Sequence, residues 1–343
     1  MTRIVLLPLM AALLYGEVPA RVWGLGLLIV LGLTDWLDGI MARKEGPSVL
    51  GGLLDPIADK IFVAALYLPL TDLGVVPLWM TIAMLCRDFL VTSLRTSLSL
   101  RDTPMRTSTL AKYKTTAQML GAGYVLLYIT APEAWWAWSV IIAACLAPLT
   151  PVVVRLAKGQ KQGKRSVLLS AAMGLAVLGR WVFGVETSIL ASLFIVTAMT
   201  LGSGISYLVD AWTALWGKTG GWKEAARFVL DGLLLPATVV GLLAYYSSAL
   251  ATTSIILIIT IDLALGGLGN LLASKKLTMR FRTMTAKSLA QLGLCSVALL
   301  SGARVLALEL PLSEACIAVA AGISLITGII SFTKHRRVYL DAL

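Results

Sequence analysis

Four aspartates, Asp35, Asp38, Asp55 and Asp59, fall within a stretch of the chain that is otherwise mostly apolar. Asp35 and Asp38 are spaced i,i+3 and Asp55 and Asp59 i,i+4, so on helices each pair shares one face. Two helices side by side, joined through the link from Arg43 to Gly51, bring the four carboxylates around one point. One Asp in hydrocarbon costs roughly 2.5–3.5 kcal/mol, and four like charges close together raise one another's pKa unless a cation compensates. One or two hard divalent ions are the simplest compensation, with a phosphate-bearing substrate completing their coordination. A second set of charges follows in apolar surroundings. Arg87, Asp88 and Arg95 lie in one such run, and Lys112 and Lys114 open the next. The adjacent Arg87 and Asp88 are expected to face different directions, whereas Asp88 and Arg95, seven apart, share a face. Intramembrane arginines pair with an acid or a phosphate, so these residues either knit two helices together or hold an anionic ligand. For the two lysines the plain alternative is a snorkelling anchor at the membrane rim.

The elements that must position these groups are transmembrane helices. The chain has 343 residues, 58% hydrophobic and 14% charged, with a mean hydropathy of +0.86, the composition of a polytopic membrane protein. Apolar spans are expected near 4–16, 20–42, 57–74, 75–100, 110–131 and 134–154, and again near 166–184, 187–212, 228–246, 250–273, 285–303 and 310–333. The fold class is therefore all-α integral membrane with about twelve spans. Met1 to Ala20 reads as the first span rather than a removable leader. With the N-terminus cytoplasmic, the inner links carry Arg43-Lys44, Arg101 to Lys114, Arg155 to Arg165, Lys218 to Arg227, Lys275 to Lys287 and Lys334 to Arg337, while the outer side keeps Arg21, Arg180 and Arg304. This follows the positive-inside rule and places the acids at the cytoplasmic ends of their helices. The net charge of +11 is then topology and attraction to anionic lipid heads, not nucleic-acid binding. His335 is the single histidine, which excludes a multi-His metal site and argues against a Ser-His-Asp triad. Cys86, Cys145, Cys295 and Cys316 form no C-x2-C pair and sit in apolar runs as small packing residues.

Read in order, the acid stretch is D-x2-D-G-x2-A-R from Asp35 to Arg43, seven residues, then G-x3-D-x3-D from Gly51 to Asp59. It resembles the signature of the CDP-alcohol phosphotransferases, integral-membrane enzymes of phospholipid headgroup synthesis; the seven-residue spacer is one shorter than the commonest form. The resemblance implies that Asp35, Asp38, Asp55 and Asp59 hold Mg²⁺ or Mn²⁺, and that Asp59 is also the base for the acceptor hydroxyl. It implies that Asp38, Gly39, Ala42, Arg43 and Gly51 line the CDP, small residues letting the cytidine approach and Arg43 meeting the diphosphate. The Arg87-Asp88-x4-Ser93-x-Arg95 segment and Lys112-x-Lys114-Thr115 resemble the phosphatidylglycerophosphate synthase branch, which uses sn-glycerol 3-phosphate. By that likeness Arg87, Arg95, Lys112 and Lys114 line the acceptor-phosphate pocket. The implied reaction moves a phosphatidyl group from CDP-diacylglycerol to the acceptor and releases CMP. It takes place at the cytoplasmic face of a bacterial-type plasma (inner) membrane, with membrane lipid as partner. Inositol phosphate, serine and phosphatidylglycerol are the other acceptors, and a twelve-span secondary transporter is the rival from another class. A carrier's charged sites lie near the midplane, whereas these acids neighbour Arg43-Lys44 and Lys60.

The second half reads as a worn copy of the first. Ala286-Lys287-Ser288-Leu289-Ala290-Gln291 echoes Tyr113-Lys114-Thr115-Thr116-Ala117-Gln118; Asp262 falls opposite Asp88, Asp231 opposite Asp55 and Asp210 opposite Asp38. Tyr207 stands for Asp35, Leu215 for Arg43, Leu235 for Asp59, Ile261 for Arg87 and Gly269 for Arg95, so the copy lacks the acid cage. The expected organisation is a catalytic domain over 1–159 and a degenerate, non-catalytic six-helix repeat over 160–343, divided at the polar link Lys158 to Lys164. Family members are typically homodimers of six-span subunits, and the fused second half is expected to replace the partner.

Overall fold

The computed structural model describes residues 2–45, 49–100, 109–131, 182–215, 222–277 and 281–336, with Gly174, Gly179, Met279 and Val338 singly. The described residues form helices without strands. In chain order they are α1 (Thr2–Leu14), α2 (Val18–Glu45), α3 (Val49–Asp72), α4 (Leu78–Leu100), α5 (Thr109–Thr130), α6 (Val185–Leu215), α7 (Trp222–Val229), α8 (Leu235–Gly241), α9 (Ala249–Ser274), α10 (Phe281–Gly302) and α11 (Leu310–Lys334). A single π-helical turn, Leu230–Leu234, joins α7 to α8. Ten of the twelve expected spans coincide with these helices. The span near 134–154, most of that near 166–184 and the 158–164 link lie outside the described residues.

Among the described residues, five segments are long and apolar enough to cross a membrane: Val185–Ile205, Ala225–Ala244, Ala249–Ser274, Thr283–Gly302 and Leu310–Lys334. The chain reads as an integral membrane protein. Its outward faces agree, with Phe194 and Ile205 of α6 and Ile326, Ile329 and Ile330 of α11 left exposed, side chains that favour lipid over water.

α3 is the axis of the first half. From Ile61 to Leu70 every hydrophobic side chain is buried, because α1, α4, α5 and α9 all lie against it; a helix apolar all round belongs inside. The helix stops where Gly74, at φ +72°, lets the Gly74 and Val75 amides donate back to the Thr71 and Leu70 carbonyls, both at 2.9 Å. This is the Schellman arrangement that a residue with a Cβ resists. Pro77 then precedes α4, where its missing N–H is harmless. The anchored half of α3 fixes the height at which Asp59 and Lys60 stand.

α4 is enclosed by the second half: α6, α8, α9 and the π turn pack on it. On the far side, α11 lies on α9 and α10 as α6 lies on α4 and α5. Ser248 caps α9 by accepting the Ala251 amide at 3.2 Å, the usual role of a serine at a helix start.

Candidate active site

α2 runs unbroken through Asp35, Asp38, Gly39, Ala42 and Arg43, and α3 through Gly51, Asp55 and Asp59. The acids thus stand on regular helices at the spacing that pairs them. α1 and α5 each touch both α2 and α3. The side chains of Asp35, Asp38, Gly39, Ala42, Arg43, Gly51 and Asp55, and that of Lys112 on α5, lie outside the described residues. Asp59 is described: it is partly buried and within electrostatic reach of Lys114 on α5.

Around it the structure assembles a basic cluster from three helices. Asp88 on α4 is fully buried, and Arg87 and Lys114 are 7% and 6% exposed. The Asp88 Oδ1 atom accepts from Arg87 Nη1 at 2.8 Å and from the Lys114 ammonium. One turn along α4, the Lys60 ammonium donates to the Thr92 hydroxyl, which itself donates to the Asp88 carbonyl at 2.6 Å. Lys60 lies within electrostatic reach of Asp88, Lys114, Arg95 and Arg87.

One expectation is corrected here and one alternative is set aside. Arg87 and Asp88 do not diverge: the arginine stem is long enough to curl back to its neighbour's carboxylate, so Asp88 takes its ionic contacts from Arg87 and Lys114 rather than from Arg95, two turns along the same face. Lys114 does not snorkel, because its ammonium is buried against that carboxylate. Lys60 was seen in the sequence only as the residue after Asp59; its i,i+1 position hid that it belongs with the basic groups of α4 and α5.

The electrostatics leave an imbalance. Among the described residues, half-buried Lys60 and the buried Arg87 and Lys114 gather around Asp88, with Asp59 in reach of Lys114, and buried charge without compensation is costly. Polar atoms are also left over. Asp88 Oδ2, Arg87 Nε and both amide atoms of Gln118 are buried with no hydrogen-bond partner among the described residues, and Gln118 follows Lys114 by one turn of α5, on the same face. Such orphan atoms call for a ligand or water. Cationic donors gathered in one site suit a phosphate-bearing molecule.

The second half holds a counterpart. Asp262 on α9 accepts from Lys287 on α10 and from Ser324 on α11 at 2.7 Å, and Gln291 also reaches Ser324. Asp262 and Lys287 are both 8% exposed. They border a cavity of about 480 Å³ between α4 and the second half, whose wall also includes Thr92, Thr96, Arg227 and Asp231. Arg227 and Asp231 pair at 3.0 Å. Here the cations and acids balance. Among the described residues no group of three metal-ligating side chains occurs.

Comparison with known proteins places the likeness on the first half. Residues 1–152 match the family described as CDP-alcohol phosphatidyltransferase. The chain is 37% identical over 110 residues to the CDP-diacylglycerol--glycerol-3-phosphate 3-phosphatidyltransferase of Bacillus subtilis (strain 168), covering 32% of this chain and 57% of that protein's length. It is 36% identical over 130 residues to the protein of the same name from Rickettsia bellii (strain RML369-C), covering 36% of this chain and 70% of that one. To the Homo sapiens protein named Cardiolipin synthase (CMP-forming) it is 38% identical over 115 residues, 33% of this chain and 37% of that one. No solved structure matches. The chain belongs to the CDP-alcohol phosphatidyltransferase family.

Proposed function

We propose that the chain transfers a phosphatidyl group from CDP-diacylglycerol to the free hydroxyl of sn-glycerol 3-phosphate, releasing CMP. The observation that supports this reading is the surplus of positive charge that Lys60, Arg87 and Lys114 make, among the described residues, around the buried Asp88, with Asp59 in reach of Lys114. An acceptor that itself bears a phosphate fills that surplus. Two relatives are named for glycerol 3-phosphate.

In this mechanism the acceptor oxygen attacks the phosphorus next to diacylglycerol and the bond from that phosphorus to the CMP oxygen breaks. CMP leaves with the electron pair and Asp59 takes the hydroxyl proton. Arg87, Arg95, Lys112 and Lys114 hold the acceptor's phosphate, and Lys60 adds to their field. Asp38, Gly39, Ala42, Arg43 and Gly51 seat the CDP. The all-carboxylate donor set of Asp35, Asp38, Asp55 and Asp59 suits Mg²⁺ or Mn²⁺, which prefer oxygen ligands. Such an ion, when bound, neutralises the diphosphate and the leaving CMP. Positioning and charge neutralisation do most of the work in phosphoryl transfer, which is why a rigid helical frame serves this chemistry.

The topology we propose has twelve spans with the N-terminus and the site cytoplasmic. The second half is a degenerate repeat in the place of a partner subunit. The buried Lys287–Asp262 pair, at the register of Lys114 and Asp88, supports the repeat. Assay of the purified protein with CDP-diacylglycerol, offering glycerol 3-phosphate, inositol phosphate, serine and phosphatidylglycerol one at a time, tests the reading. CMP release with glycerol 3-phosphate is the expected result; release with phosphatidylglycerol alone transfers the assignment to the cardiolipin-forming reaction.

A further inference from the structure

We propose that the second half of the chain sets the position of Arg87 through Ser203, Gly204 and Tyr207, making α6 a wall of the acceptor-phosphate pocket and not only a packing partner. The inference rests on the reading of Arg87 as a phosphate ligand.

Three residues of α6 meet the Arg87 side chain, each in a different way. Ser203 Oγ accepts from Arg87 Nη2 at 2.8 Å. That hydroxyl donates its own proton to the Thr200 carbonyl at 2.7 Å, so its lone pairs are held toward the guanidinium. Gly204 gives the arginine stem its path: a Cβ there would stand 2.7 Å from Arg87 Cγ, closer than carbon atoms approach. Tyr207, four residues after Ser203 and on the same face, sets its ring beneath the guanidinium, 5.6 Å from Arg87 Cζ to the ring centroid. Ser203 is fully buried and Tyr207 is 2% exposed.

The chemistry of this cradle matters. A carboxylate from α6 would have cancelled the arginine charge. A hydroxyl, a bare backbone and an aromatic face orient the guanidinium while leaving the charge for an anion. Asp88 holds the other terminal nitrogen and already shares its charge with Lys114. In the proposed repeat, Tyr207 stands at the position of Asp35 and has a different task.

Ser203, Gly204 and Tyr207 act as positioning residues, and steady-state kinetics on the full chain separates that role from packing. Tyr207→Ala is expected to raise the KM for glycerol 3-phosphate about tenfold, with the KM for CDP-diacylglycerol and kcat at saturating acceptor within about twofold of wild type. Tyr207→Phe, which keeps the ring, restores the acceptor KM. Ser203→Ala, a smaller change, shows the same split at a few-fold. Equal acceptor KM in wild type and both Ala variants, with only thermal stability lowered, overturns the proposal and leaves α6 as packing. A wild-type protein that neither binds glycerol 3-phosphate by calorimetry nor turns it over removes the functional reading, and this inference with it.

Discussion

Lys114 on α5 and Asp88 on α4 form an ion pair from which solvent is excluded. With Arg87 and the half-buried Lys60 in the same site, that carboxylate helps to keep three cations together. Removing it leaves them uncompensated. Asp88→Asn is expected to lower stability by about 3–5 kcal/mol, read as thermal unfolding in detergent. Glycerol 3-phosphate should recover part of the loss, since an anion that binds only the folded protein stabilises it.

Lys114→Met is a gentler change, because Asp88 keeps its 2.8 Å contact with Arg87. The loss should fall on the acceptor. One charge-assisted hydrogen bond to the phosphate predicts a rise in its KM of roughly ten- to a hundredfold. Circular dichroism should stay helical and the KM for CDP-diacylglycerol should not move.

Asp55 and Asp59 of α3 should separate by role. Asp59→Asn removes the proposed base and one of the four proposed ligands, so kcat falls by about 10²–10⁴, with Asp35, Asp38 and Asp55 left to hold the ion and CDP-diacylglycerol still bound. Asp55→Asn removes a proposed ligand of the divalent ion, so turnover is abolished at any Mg²⁺ concentration with the helical signal intact. Radiolabelled CMP release and nucleotide binding, measured side by side, distinguish the two.

Lys287 provides the control from the second half. Its ammonium is the buried partner of Asp262, so Lys287→Met leaves that acid unpaired and is expected to cost about 3–5 kcal/mol of stability. Below the new melting temperature, however, kcat and both KM values should match wild type. A selective rise in the KM of either substrate would mean that the second half carries chemistry of its own.

Much of this architecture was legible in the sequence. Apolar runs bounded by Gly74-Val75-Val76-Pro77 or Ser247-Ser248 mark where helices stop and start, since a Schellman turn, a proline and a serine cap each act locally. Helical spacing also paired Asp55 with Asp59, and both stand on the unbroken α3. Spacing names a face, though, and not what the face meets. The curl of Arg87 onto Asp88 depends on side-chain length rather than on Cβ direction. The contact of Arg87 with Ser203 joins residues 116 apart in sequence, and no local pattern encodes it. Lys60 entered the basic cluster because the packing of α3 against α4 puts it beside Thr92.

The central claim is most directly tested by CMP release from CDP-diacylglycerol by the purified full-length chain, with glycerol 3-phosphate present or withheld and EDTA as control. The account predicts release that requires the acceptor, stops on chelation and returns with Mg²⁺ or Mn²⁺. Release that is indifferent to EDTA, or absent with every alcohol acceptor offered, would contradict it.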